Sequence, residues 1–355
     1  MSHRLSAFLA VVLCTAALLC GCSRKPKLHV YIWCDYLAPG LISDFEQEYD
    51  CRVQVDIFDS NEMMFSKIQA GGGGYDLLCP SHYFVKKMAN LNLIAPIDKR
   101  RIATYDQINP AILSKLGSDI TDYAVPYLMS YTGLGFNRKE VPDLERNPTW
   151  EVFGREGLKD RMTLLDDHAE VIGAAMLACG LKQADLDDPV HGDANLRKVL
   201  DKVLEWRKNV VKFENEQYKN GLAAGEFKVV MGYGSDLNQV VENDPENLAF
   251  VMPKEGCLLS CDTLVIPVNA PNPDLAYKFI EFLHRPENAM RTIMDIRAFC
   301  PNSGAEALLP PEVREDDSIF VRQEVIDNSE FVVELSPENE ERHLEIWNKI
   351  KAGER

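Results

Sequence analysis

The sequence predicts an α/β protein of two lobes. Three observations lead there. From residue 28 to residue 91 strand-like and helix-like stretches alternate, the pattern of a parallel sheet. An extended stretch over 122–137, carrying Gly133 and Gly135, breaks that pattern, and a second strand–helix unit follows it. Near the apolar run Cys261–Pro267 the chain reads as extended again, a return toward the first unit.

The first strand is the stretch the rest is organised around. Leu28, Val30 and Ile32 alternate with His29 and Tyr31, and the run ends in Trp33-Cys34-Asp35-Tyr36 before Pro39-Gly40. A helix follows, with Leu41, Ile42, Phe45 and Tyr49 on one side and Asp44, Glu46 and Glu48 on the other. Residues 52–58 alternate as a second strand. A helix over 61–69 ends at the Gly71–Gly74 run, which is a turn and not a phosphate loop, since no Lys-Ser/Thr follows it. Residues 75–80 form a third short strand leading into Ser81-His82-Tyr83 and a helix. In the second unit, 162–165 is a strand, Asp166 to Glu170 opens a helix, 194–210 is a long amphipathic helix, and 227–231 is a strand running into Gly232-Tyr233-Gly234-Ser235-Asp236. Helices are expected over 273–283, 286–294 and 338–350. We expect residues 28–132 plus 262–299 in lobe 1 and 133–261 plus 300–355 in lobe 2.

Of 355 residues, 46% are hydrophobic and 26% charged, as in globular proteins, and the formal net charge of −17 argues against nucleic acid or an anionic membrane surface as partner. The N-terminus reads as a targeting segment: Arg4 precedes an apolar run over 5–19 that is too short for a typical span. It ends in Leu19-Cys20-Gly21-Cys22, which resembles a bacterial lipoprotein signal with Cys22 as the lipidated residue. Residues 1–21 are then the signal and 22–27 a tether; a plain secretory signal is the alternative. Seven of the 10 cysteines follow. Cys34, Cys51, Cys79 and Cys179 lie among apolar residues, where a thiol packs as a small hydrophobe, while Cys257 and Cys261 are near enough in sequence to pair or to share a metal. No second Cys/His pair stands near them, and we expect neither metal nor cofactor.

Acids and rings recur where strands end: Trp33, Asp35 and Tyr36; Ser81 and Tyr83; Asp167 and Glu170; Tyr233 and Asp236; and Asp262. In open α/β sheets, ligands sit beyond the carboxyl ends of strands. Carboxylates and ring faces both attract ammonium groups, so a shared cleft with these walls suits an organic dication. Ordinary roles compete at each place. Asp167 and Glu170 match a capping box, Asp236 suits a helix first turn, Tyr83 and Tyr233 suit a core, and a buried Asp262 needs only some partner.

At these residues the chain resembles the periplasmic polyamine-binding proteins, the spermidine/putrescine receptors of ABC importers. The matching segments are Tyr31–Tyr36, Ser60–Met64, Tyr75–Tyr83, Leu164–Glu170, Pro253–Gly256 and Asp262–Pro267. The resemblance implies a periplasmic-binding-protein type II fold, two α/β lobes joined by crossing hinge strands. It implies Trp33 and Tyr36 against the ligand stem with Asp35 between them, Ser81 and Tyr83 on the same wall, Asp167 and Glu170 on an amine, and Asp262 as the central aspartate. Tyr233 and Asp236 fall on the family's Gly-Trp-x-Gly-Asp stretch. It also implies delivery to a membrane permease, a monomer, and an extracytoplasmic place. Three positions depart from the pattern. Ser260 stands where a Trp or Phe is common, Ala298 or Phe299 where a tyrosine is usual, and no amide is evident around 331–333. The rivals are another solute on the same fold, an extracytoplasmic enzyme, and a ligand-presenting sensor. No Arg accompanies the acids as an amino-acid site requires, no adjacent tyrosines suit an iron chelate, and neither Gly-x-Ser-x-Gly nor His-Glu-x-x-His is present.

Overall fold

A computed structural model describes residues 25–320 and 327–354; the targeting segment, Cys22 and the first half of the tether lie outside the described residues. The first lobe is built on strand β1 (Lys27–Trp33), flanked in parallel by β2 (Arg52–Phe58) and β3 (Leu77–Leu78) in the order β2-β1-β3. The alternation of β1 sends its side chains to two cores. Leu28, Val30 and Ile32 pack with helices α1 (Leu41–Tyr49), α8 (Pro273–Leu283) and α9 (Pro286–Ile296). Tyr31 points the other way, into a cluster with Phe58, Met64 and Phe65 that includes helices α2 (Asn61–Gln69) and α3 (His82–Asn90). Covering both faces is what a parallel sheet requires.

The second lobe holds β5 (Met162–Leu164), β6 (Val210–Phe213), β7 (Val229–Tyr233) and β8 (Leu248–Val251). Around them pack α4 (His168–Ala178), α5 (Gly192–Arg207), α6 (Tyr218–Ala223), α7 (Gly234–Asn243) and α10 (Pro337–Ala352). On α5 the predicted face, Leu196, Val199, Leu200, Val203 and Trp206, is buried.

Two long strands run between the lobes. Strand β4 (Val125–Asn137) pairs antiparallel with β9 (Leu258–Leu264) from Val125↔Leu264 to Tyr131↔Leu259, and its far end lies between β7 and β8. The short strand β10 (Glu330–Phe331) adds to the outer edge of β9. The glycines of β4 admit large neighbours: a Cβ on Gly133 would meet the Phe250 ring at 2.7 Å, and one on Gly135 would meet Leu237 at the same distance.

Two expectations change. The segment after residue 300, expected in lobe 2, packs Cys300, Ala305, Leu309, Val313 and Ile319 into the first core. A backbone bond from Met129 to Phe299 and a bridge from Ile108 to Asn302 tie it there, so the apolar residues close lobe 1 before the chain leaves it. Cys34 is exposed, not packed, because it lies one residue past the end of β1, where no neighbouring strand covers it. Cys51 and Cys79 are buried and Cys179 is half-buried; Cys257 and Cys261 are buried free thiols. Among the described residues no cluster of His, Cys, Asp or Glu has the arrangement to hold a metal ion.

Candidate ligand-binding site

All ten residues singled out from the sequence line one cavity of about 310 Å³ between the lobes. Trp33, Asp35 and Tyr36 come from the end of β1 and the turn after it, and Ser81 and Tyr83 from the β3–α3 junction. Asp262 comes from β9, bridged to Ser81 across the backbone. Asp167 caps α4 beyond β5, and Glu170 lies in the first turn of that helix. Tyr233 closes β7 and Asp236 opens α7. Apart from Asp262 they sit at carboxyl ends of strands, the place at which ligands meet open α/β sheets.

The inner wall is organised around Asp262, which is 2% exposed. The Tyr36 hydroxyl donates to its Oδ2 at 2.6 Å, and the Ser81 hydroxyl to its Oδ1 at 2.6 Å. Asn61 holds this arrangement from behind: its Nδ2 donates to both Ser81 Oγ and the Tyr83 hydroxyl at 3.0 Å, and its Oδ1 accepts from Ser81 N. Burial pushes the Asp262 carboxyl up to about 6, against the pull of the Ser81 and Tyr36 hydroxyls. Across the cavity Glu170 is 9% exposed, with the Thr132 hydroxyl donating to its Oε2 at 2.8 Å. Burial raises the Glu170 carboxyl well above the usual range, and the neighbouring Asp167 charge raises it further, while the Thr132 hydroxyl opposes both.

Asp167 does two things at once. Its Oδ1 accepts from the backbone of Ala169 and Glu170, capping α4, and its Oδ2 accepts from the Tyr233 hydroxyl at 3.3 Å. The capping box is only half formed, since the Glu170 side chain turns to Thr132. Among the described residues, Asp262, Glu170 and Asp167 are in no ion pair. Buried carboxylates held only by neutral donors carry an unmet demand for positive charge.

The outer end differs. Asp35, with a left-handed backbone (φ 56) that aspartate tolerates, has a side chain 61% exposed. Asp236 accepts from the Tyr218 hydroxyl at 2.7 Å. That ring packs against Gly232, where a Cβ would come within 2.3 Å of it, so glycine at this place gives Tyr218 the room to reach Asp236. Lys219, on α6, stands between the two acids, 3.4 Å from Asp236 and 3.9 Å from Asp35. Burial works against its charge, but Asp236, Asp35 and Glu216 together hold its ammonium above the usual lysine range.

The sequence pattern of the bacterial extracellular solute-binding proteins matches residues 40–320. The chain belongs to that family. Its relatives include the spermidine/putrescine-binding periplasmic protein of Escherichia coli, 31% identical over 327 residues that make up 92% of each chain. The putrescine-binding periplasmic protein PotF of the same bacterium is 29% identical over 349 residues, 93% of each. A solved structure described as a putative spermidine/putrescine ABC transporter from Listeria monocytogenes superposes with a TM-score of 0.82 at 30% identity, covering 92% of this chain and 99% of that one. These relatives are binding proteins of the periplasmic type II fold, and membership places the chain among extracytoplasmic proteins.

In this solute-binding protein the departures noted in the sequence have visible outcomes. Ser260 lines the cavity two residues before Asp262, on the same face of β9, leaving open room where a ring would project. Ala298 is buried in the first core and Phe299 packs on Phe320; neither lines the cavity. The cavity also takes in residues that sequence reasoning passed over: Asn61, Gln183 and Lys219. The Gln183 amide is spent on chain pairing, donating to the Phe331 carbonyl and accepting from Val333 N. Asn61 lay within the Ser60–Met64 segment and was readable there; Lys219 carried no signal beyond its place in a short helix.

Proposed function

We propose that this protein captures an aliphatic polyamine, putrescine or spermidine, and delivers it to the permease of an ABC importer. The observation that carries the reading is the inner wall: Asp262 and Glu170 are buried, face one cavity, and among the described residues are served only by hydroxyls. An ammonium group is the partner such carboxylates lack. Each charge-assisted bond contributes about 1.5–3 kcal/mol. The rings of Trp33, Tyr36, Tyr83 and Tyr233 supply apolar wall for a methylene stem. The curated relatives, named for putrescine and spermidine, support the same class. The lobes are taken to close over the ligand by bending at β4 and β9, and the permease to read the closed form. The protein carries out no chemical step of its own in this reading and works as a monomer, without nucleic acid. Isothermal titration with putrescine and spermidine tests it: binding of at least one is expected, and no binding of either at millimolar concentration overturns it.

Anchoring is part of the same proposal. Cleavage before Cys22 and lipidation of its thiol would leave residues 22–27 as the tether. No helix among the described residues is long and apolar enough to cross a membrane. Cys22→Ala is expected to move the protein from the membrane fraction to the soluble one; an unchanged distribution would remove the lipid from the account.

A further inference from the structure

Within the polyamine reading, on which this inference rests, the cavity offers three carboxylate stations. Asp262 is one, Asp167 with Glu170 the second, and Asp35 with Asp236 the third. At the first two, no protein cation pairs with the acids among the described residues. At the third, Lys219 reaches Asp236 at 3.4 Å and Asp35 at 3.9 Å from a side chain that is 24% exposed. Its two partners come from opposite lobes, the turn after β1 and the start of α7, so the ammonium sits where the walls of the cleft approach each other. Asp59 and Glu216 also line this end; both are exposed, so solvent weakens their charges, and Glu216 adds to the field that Asp236 and Asp35 set up at Lys219.

We infer that Lys219 is a built-in ammonium that fills the third station and so sets the length and charge of the ligand: the site takes a short diamine in preference to a triamine. A primary ammonium on a four-carbon stem is the same chemical group as the end of a polyamine. Lys219, being part of the chain, meets Asp236 at a high effective concentration, whereas a ligand's third ammonium must displace it or lie beside a like charge. A diamine spanning the two inner stations avoids both costs. The inference concerns selectivity between amines and leaves the inner acids as the source of affinity.

The test is calorimetric titration of wild type, Lys219→Met and Lys219→Arg, each with putrescine and with spermidine. Methionine keeps most of the stem length and removes the charge. Wild type is expected to bind putrescine at least tenfold more tightly than spermidine. Lys219→Met should tighten spermidine at least tenfold while moving putrescine less than threefold, and Lys219→Arg should keep the wild-type preference. A wild type that binds spermidine as well as putrescine overturns the inference. So does an equal gain for both amines in Lys219→Met, which would make Lys219 a mere contributor to the overall field. If wild type and variants bind neither amine, the polyamine reading itself falls, a result distinct from an unchanged ratio between two amines that do bind.

Discussion

The two ends of the cavity hold the same side chains in opposite circumstances. At the inner end, Asp262 and Glu170 are buried and receive hydrogen bonds from Tyr36, Ser81 and Thr132, all neutral. At the outer end, Asp35 is mostly exposed and shares Lys219 with Asp236. The difference teaches which acids a ligand has to satisfy. An exposed carboxylate has water and salt as alternatives, so losing or gaining a partner changes little. A buried one has only what the fold or a ligand provides.

The largest break in that contrast should come from Asp262→Asn. It removes the most deeply buried acid of the cavity, and amine binding measured by calorimetry is expected to weaken by about 2–5 kcal/mol. The ligand-free protein should melt no lower than wild type, since an unpaired buried charge is lost, the amide oxygen accepts from one of the Tyr36 and Ser81 hydroxyls, and the amide NH2 donates to the other. A ligand-free variant that melts far lower would make Asp262 a structural residue. Glu170→Gln comes next, with a loss of about 1.5–3 kcal/mol in the same titration, because Thr132 can still donate to the amide oxygen.

Acidification sharpens the comparison from the other side. With the Asp262 carboxyl raised to about 6, its protonation should lower affinity about tenfold per pH unit below that point, and protonation of the raised Glu170 carboxyl should add to the fall. The ligand-free fold should respond in the opposite direction. A carboxyl raised in the folded state binds more protons there than in the unfolded chain. Its contribution to stability is therefore greatest below the ordinary aspartate range and is lost as pH rises through about 6. Melting of the ligand-free protein at pH 5 and pH 7 checks the sign. The smallest effect belongs to Asp35→Asn, expected to cost less than about 1 kcal/mol in amine binding and to lose even that at high salt. A loss as large as that of Asp262→Asn would erase the distinction between the ends.

Much of this site was readable before any coordinates, for a physical reason. Trp33, Asp35, Ser81, Asp167 and Asp236 stand just past or at the ends of apolar strands, and chain direction in an α/β sheet sends all such ends toward one edge. What could not be read depended on which surfaces meet across the fold. Residues 300–319 have an apolar pattern that suits either core, and contacts distant in sequence, Phe299 with Met129 and Asn302 with Ile108, commit them to lobe 1. Cys34 has apolar neighbours in sequence but is exposed in the fold. Lys219 is an ordinary helix lysine until the turn holding Asp35 is brought to it from the other lobe.

Strand β4 has a consequence for anyone wishing to dissect the molecule. Its first half completes a ladder with β9, and its second half is sandwiched by β7 and β8, without a break in the chain. A fragment cut near residue 132 would keep half a ribbon and present the stripped edge to other copies, an invitation to clump. The halves are therefore better probed by point changes in the whole chain than by expressing either half alone.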